Sequence, residues 1–359
     1  MATSRAEDPE PRYLLRGATP DDGVELLELA RFLDSVNLPH DSAALRSSLQ
    51  QSERSFSGTE GEPRRREYRF VVVDRRQGRI VGSSMILGQL GRRDAPYIFF
   101  DVGQEERYSQ TLDRYFVHRV LTIGYSFNGP TELGGLVVHP DARRSSERLG
   151  LLVSYLRFLW LAMHREDFQD HLLAELMPPL EADGTSHLWE AVGRRFTGLD
   201  YREADRLSKS NKEFIRSLFP DGEIYVSLLP EQAQAVVGAV GRETRGVQRM
   251  LERIGFRYAQ RVDPFDGGPH YVARTDAVEP VRKAAKRLVA IGGRRGGKTR
   301  RALVGVAKET SPYLLAAPVW IDADEDESAS DAILTLDEQS AQLLEVQAGD
   351  SVWMLPLPG

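Results

Sequence analysis

The chain has 359 residues, no cysteine and a formal net charge of −6. The missing cysteines exclude disulfides, thiolate metal sites and cysteine nucleophiles, and suit a reducing cytoplasm. The charge argues against bulk binding to nucleic acid or anionic membrane, and no stretch reads as a signal peptide or reaches membrane-spanning length.

Residues 1–12 are expected to be disordered. Tyr13 to Arg16 reads as a short strand, and Pro20-Asp21-Asp22 opens a helix carrying Leu26, Leu29 and Ala30. A second helix is expected near Ala43 to Ser52, then a polar loop over residues 53–66. Tyr68 to Asp74 and Arg79 to Gly88 have a hairpin pattern around a turn ending in Gly78. Ile98 to Val102, Arg119 to Ser126 and Glu132 to Val138 read as strands, the last two joined by the turn Asn128-Gly129-Pro130. A helix is expected over Ser146 to Arg165. Phe168 to Met177 should begin as helix and become strand.

Helices follow at Ser186 to Val192, Tyr201 to Ser210, Lys212 to Phe219, Pro230 to Val240 and Arg245 to Ile254. Phe256 to Asp263 and His270 to Arg274 read as strands around Phe265-Asp266-Gly267-Gly268-Pro269. A basic helix leads out over residues 277–286. The tail, 287–359, is strand-rich and reads as a small β module.

Two loops could hold phosphate. Gly292 to Thr299 satisfies G-x4-GK[ST], but too little chain follows for the parallel sheet of a nucleotide-binding ATPase. Arg300 to Val306 fits a return strand better than a helix, so a basic hairpin turn or linker accounts for this segment. The stretch Thr131 to Phe158 instead reads as a buried strand, a basic loop and an amphipathic helix, which gathers backbone N–H groups at one point. Arg143, Arg144 and Arg148 could pair there with the pyrophosphate of an acyl-coenzyme A, and Gly150 lets the backbone close on it. N-acetyltransferase-type folds carry R/Q-x-x-G-x-G/A at such a loop. Here Arg148 stands at the earlier glycine position.

Over nearly its whole length the chain resembles the arginine N-succinyltransferase family. The likeness is carried by Phe70 to Asp74 with Gly78, Val81 and Gly82, by Glu132-Leu133 through His139-Pro140-Asp141, and by Ser154 to Phe158. Ala174-Glu175-Leu176, the order Trp189, Gly193, Phe196, Asp200, Ala204, Asp205, and Glu231 to Gly238 continue it. The most specific run is Gly255-Phe256-Arg257-Tyr258 followed by Asp263 to Pro269, and Ala348-Gly349-Asp350 extends it into the tail. The resemblance implies an α/β (α+β) acyl-CoA N-acyltransferase fold of the N-acetyltransferase (GNAT) type over residues 13–276, with the β module attached.

It also implies succinyl-CoA as co-substrate, no metal, and transfer to the α-amine of arginine or a similar basic amine, in a protein that forms homo- or hetero-oligomers. Leu136 matches the family's donor-contacting leucine. The family's proton-donor histidine is replaced by Gly241.

Amide formation from a thioester needs a polarised carbonyl, a neutral amine and a proton for the leaving thiolate. Backbone N–H groups at Leu136 and Val138 are the candidates for the first. His187 and His270 are candidate stand-ins for the lost histidine, and Tyr125 and Tyr201 are candidate proton donors. A guanidinium acceptor calls for carboxylates, for which Glu175, Asp205, Asp263 and Asp266 are the candidates. Glu175 is the least expected of these as a structural residue, because it interrupts an apolar run from Leu172 to Met177. An acyl-CoA N-acyltransferase of other specificity and a non-catalytic homologue are the rival readings.

Overall fold

A computed structural model describes residues 11–33, 37–181, 184–208, 211–292, 298–322 and 332–358. Of the disorder expected over residues 1–12, residues 1–10 lie outside the described residues, as does most of the Gly292 to Gly297 loop, whereas Arg12 is in place and pairs with Asp74.

The strands in chain order are β1 Tyr13–Gly17, β2 Glu67–Asp74, β3 Arg79–Leu87, β4 Tyr97–Ser109, β5 Arg114–Ser126, β6 Thr131–Val138, β7 His171–Glu175, β8 Ile224–Tyr225, β9 Arg257–Val262, β10 Pro269–Arg274, β11 Ala285–Ile291, β12 Thr299–Ala307, β13 Leu314–Asp322, β14 Ile333–Leu336 and β15 Ser351–Pro356. The helices are α1 Gly23–Ala30, α2 Ser42–Phe56, α3 Leu149–Met163, α4 Arg194–Thr197, α5 Tyr201–Ser208, α6 Glu213–Leu218, α7 Glu231–Val236, α8 Arg245–Arg253, α9 Glu279–Lys283 and α10 Glu338–Leu344. A π-helical turn, Trp189–Gly193, runs directly into α4.

The chain divides into two compact units that are not consecutive in sequence. One comprises Met1–Ile86, Gly135–Asp167 and Glu279–Gly359, the other Leu87–Gly134 and Phe168–Val278. Strand β6 contributes its first four residues to the second unit and its last four to the first.

In the first unit the strand order is β14-β11-β15-β12-β13-β1-β2-β3, followed by the second half of β6. The tail is not set apart in this unit, since β13 pairs antiparallel with β1 (Leu15↔Ala316). β2 is an apolar run covered on both faces, which is why it lacks simple alternation. Val71 packs with Leu26 and Leu29 of α1 and Leu45 and Leu49 of α2. Phe70 turns the other way, to Trp160 of α3 with ring centroids 6.2 Å apart. α2 begins at the Asp41 cap, whose carboxylate accepts from the Ala44 N–H at 2.7 Å, and it outruns its expected end by four residues, to Phe56. β11 and β12 do not pair with each other, because β15 lies between them.

In the second unit the order is the first half of β6, then β7-β10-β9-β4-β5-β8. β6 and β7 run parallel, but their register covers only Thr131↔Leu172 and Glu132↔Leu173. β4 and β5 form a hairpin of thirteen residue pairs, far longer than the Ile98 to Val102 and Arg119 to Ser126 strands expected. Its outer half is largely exposed. Backbone pairing and surface side-chain contacts such as Tyr108–Asp113 hold it, and no buried face imposes a pattern on the sequence. The Asn128-Gly129-Pro130 turn forms but does not pair β5 with β6; instead it closes on Leu90, whose N–H donates to Pro130 O at 2.9 Å. The unit's core gathers Phe100, Leu121, Trp189, Ile215, Val236, Val262 and Phe265.

Candidate active site

Two regions carry the expected chemistry, one in each unit. In the first unit, β6 leads through a 3-10 turn at Pro140–Ala142 to the loop before α3. Within β6, Gly135 has φ of +58°, a conformation that breaks the strand's pleat and that glycine adopts without steric cost. A Cβ here would also lie 3.0 Å from Met85 Cγ. Leu136 follows, half-buried, and Val138 is buried.

The basic loop is tied to the fold. The Arg143 Nε–H donates to Val138 O at 3.0 Å and Arg148 Nη1 donates to Pro358 O at 2.9 Å. Arg144 is exposed. Arg148 precedes α3 with φ of 55° and ψ of 50°, the left-handed conformation for which a glycine would be the natural residue. Gly150 sits in the first turn of α3 with open space where a side chain would be.

In the second unit, strand pairing and one turn bring several carboxylates together. Glu175 is the last residue of β7 and is directly opposed by His270 on β10. Asp263 and Asp266 lie in the turn between β9 and β10. Asp263 Oδ1 accepts the Phe265 N–H at 2.6 Å, and Asp266 Oδ1 accepts the Gly268 N–H at 2.7 Å, an arrangement that Asp adopts readily in tight turns. Phe265 anchors this turn by stacking on the enclosed Trp189, with ring centroids 4.9 Å apart and planes 5° from parallel.

His270 is 0% exposed. Its Nδ1 is 2.8 Å from the Tyr97 phenol oxygen, and its Nε2 is 3.4 Å from Glu175 Oε1. Burial first, then the positive charges of Arg261 and Lys212, pull its pKa down to about 3, so the ring is neutral at physiological pH. Nε2 faces a carboxylate and is the nitrogen expected to carry the proton. Nδ1 then accepts from the Tyr97 hydroxyl, itself held protonated because burial raises its pKa.

Glu175 keeps 33% of its side chain accessible to solvent. Crowding by protein raises its pKa well above the carboxylate range, with further upward pushes from Glu132, Asp263 and Asp266 and an opposing pull from Lys212. Since a third of the side chain meets water, the repulsion among the carboxylates is the firmer part of that rise. Asp266 is raised by burial and by Asp263 and Asp205, and Asp263 is raised by burial against the pull of Lys212. Such a group lowers its energy by taking up a cation. Glu175, Asp263 and His270 each offer a ligand atom, all within 4.8 Å of one another. That set could hold a divalent metal as well as an ammonium or guanidinium group.

The remaining sequence candidates fall elsewhere. His187 bonds Glu181 Oε1 at 2.7 Å through Nε2. Tyr125 is exposed on β5 and packs edge-on to Phe127. Tyr201 packs against the apolar core at the start of α5. Asp205, on the same helix, acts on Asp266 through its charge. At Gly241, a Cβ would lie 2.8 Å from Pro178 O and 2.9 Å from Met177 O, so this backbone is built around glycine. Sequence reasoning missed Tyr97, Glu132 and Lys212. Glu132 carried the same signal as Glu175, a lone acid within an apolar strand. A separate cavity of about 780 Å³ in this unit is lined by Tyr97, Asp101, Asp170, His171, Glu223 and Arg261 among others, but by none of Glu175, Asp263 and His270.

Residues 13–280 match the family model described as arginine N-succinyltransferase beta subunit. A curated relative named arginine N-succinyltransferase subunit beta, from Pseudomonas aeruginosa, is 32% identical over 347 residues, covering 96% of this chain and 98% of its own. One named arginine N-succinyltransferase, from Yersinia pseudotuberculosis, is 32% identical over 351 residues, covering 94% and 95%. The solved structure of arginine/ornithine succinyltransferase subunit AI from Pseudomonas aeruginosa superposes with a TM-score of 0.79 at 29% identity, over 97% of this chain and 100% of that one. The mixed α/β fold expected from the sequence is thus the fold of the chain, and it is shared with that succinyltransferase subunit. No helix among the described residues is long and apolar enough to cross a membrane.

Proposed function

This chain belongs to the arginine N-succinyltransferase family, and we propose that it transfers the succinyl group of succinyl-CoA to the α-amine of arginine by direct attack. The observation that carries this reading is the cluster of acids in which Glu175, Asp263 and Asp266 crowd together with Glu132 nearby, Glu175 being a third accessible. Mutual repulsion among these acids is relieved by a guanidinium or ammonium ligand, which suits the cluster to a basic amino acid.

On the donor side, β6 supplies Leu136 and Val138, whose backbone N–H groups would polarise the thioester carbonyl. One such donor is worth about 10²–10³ in rate. Gly150 and the first turn of α3 would receive the pyrophosphate, with Arg144 as its most available cation. Arg143 and Arg148 would have to leave their carbonyl partners to join it. With no cysteine in the chain, an acyl-cysteine intermediate is out, and direct transfer needs none. We place the protein in the cytoplasm, and from the subunit names of its relatives we expect assembly with copies of itself or a similar chain.

A thiol-release assay with succinyl-CoA and acetyl-CoA against arginine, ornithine, lysine and agmatine tests the reading. Release confined to succinyl-CoA with arginine supports it. Another preferred pair makes the chain an acyltransferase of different specificity. No release, with no coenzyme A binding by calorimetry, makes it a non-catalytic homologue.

A further inference from the structure

We propose that Glu175 is the general base that removes the proton from the acceptor's ammonium group, and that His270, locked by Tyr97, is the positioning residue that aims its carboxylate. This deepens the succinyl-transfer reading and rests on it.

The geometry separates the two roles. His270 is wholly enclosed, and its Nε2 finds no hydrogen-bond partner of good geometry, only Glu175 Oε1 at 3.4 Å. The imidazole is closed to an incoming amine, while the carboxylate beside it meets solvent. Burial and the charges of Arg261 and Lys212 also hold the ring neutral, so it is a poor proton acceptor. Glu175 is the member of the pair that meets solvent. It also ends its strand opposite the rigid β10 backbone, which fixes its Cα.

Most of the charged groups facing Glu175 push it the same way. Glu132 on β6 and Asp263 and Asp266 in the β9–β10 turn raise its proton affinity, and Lys212 opposes them. Arg261 and Lys212 act on the neighbouring His270 to keep it neutral. A carboxylate whose pKa is raised accepts a proton more readily near neutral pH than an ordinary one does.

The step balances as follows. The ammonium nitrogen gives one proton to Glu175, which passes it to water at its open side. The freed lone pair forms the C–N bond as the C–S bond breaks. The nitrogen's second proton ends on the coenzyme A sulfur, so products are the amide, the free thiol and one released proton.

The test is steady-state kinetics at saturating succinyl-CoA, from about pH 6 to about pH 9.5, on wild type, Glu175→Gln, His270→Gln and His270→Phe. Glu175→Gln is expected to lower kcat about 10²–10⁴-fold and to lose the acid limb of the profile. With arginine methyl ester, whose α-amine is less basic and needs less help, that deficit shrinks. His270→Phe should lower kcat about tenfold with KM for arginine unchanged and move the acid limb upward, because the carboxylate loses the polar N–H that faces it at 3.4 Å. His270→Gln, which restores an N–H near Nε2, should recover part of the loss.

The proposal is overturned if Glu175→Gln keeps kcat within about threefold of wild type. It is equally overturned if the whole effect falls on KM, which makes Glu175 a cation binder alone. Loss of activity in EDTA with recovery on adding a divalent ion would also overturn it, assigning these side chains to a metal. Should Glu175→Gln fail to fold, the two His270 variants decide: no shift of the acid limb in either sinks the idea. A wild type that releases no thiol from succinyl-CoA with any amine refutes the functional reading itself, before any variant is made.

Discussion

The Tyr97 phenol oxygen lies 2.8 Å from His270 Nδ1, deep in the second unit. This bond ties β4 to β10, two strands that are not neighbours in the sheet, since β9 runs between them. It also holds the enclosed imidazole in place, with Nε2 turned toward Glu175 Oε1 at 3.4 Å.

Burial of that imidazole makes stability depend on pH. The folded-state pKa of His270 is lowered to about 3 from an ordinary 6.5. The unfolded chain therefore binds the extra proton between those values, and stability is lost as pH falls from 6.5 toward 3. Between neutral pH and pH 5 wild type should lose about 2 kcal/mol more than His270→Gln, because the unfolded histidine gains that much by protonation. Urea denaturation of both proteins at the two pH values checks this, and equal losses would mean the ring is not held neutral.

Asp266 behaves in the opposite sense. Its folded-state pKa is raised, so its contribution is favourable in acid and is lost as pH rises above the unfolded carboxylate value. Asp266→Asn should raise the melting temperature at neutral pH and flatten its pH dependence. It should also raise KM for arginine, since a member of the cation receptor is neutralised. A variant that is both less stable and unchanged in KM would show that Asp266 serves the turn alone.

Restoring a histidine at position 241 should not restore anything. The Gly241 N–H donates to Met177 O at 2.9 Å, and a Cβ at 241 would press on two main-chain oxygens. Neither can move without disturbing the chain just past Glu175. Gly241→His is expected to cost about 1–3 kcal/mol through overpacking and to leave kcat no higher than wild type. Thermal melting and the thiol-release assay read the two parts.

Arg148 occupies a backbone conformation that costs an L-residue about 1–2 kcal/mol. Arg148→Gly removes that strain at the loss of the bond to Pro358 O, whereas Arg148→Ala keeps the strain and loses the bond. The glycine variant should therefore be about 1 kcal/mol more stable than the alanine variant by chemical denaturation. If the Arg148 charge holds the pyrophosphate, both variants weaken coenzyme A binding alike. If the backbone alone holds it, neither does.

The sequence by itself determined the family, the mixed α/β class and most strands and helices. It could do so because the apolar periods of β2, β3, α3 and β7 and the turn residues between them act locally. It also marked Glu175, because an acid within Leu172 to Met177 has no local reason to be there. Only the tertiary structure decided what surrounds that acid. Tyr97, Glu132, Asp263 and His270 come from strands and turns far apart in the chain, and registers such as Glu175↔His270 set their company. Long-range pairing leaves no trace in composition or spacing, which is why Tyr97 and Lys212 read as ordinary residues. The outer half of the β4–β5 hairpin escaped for a related reason: it is paired mainly through the main chain and has no buried face, so no apolar alternation marks it.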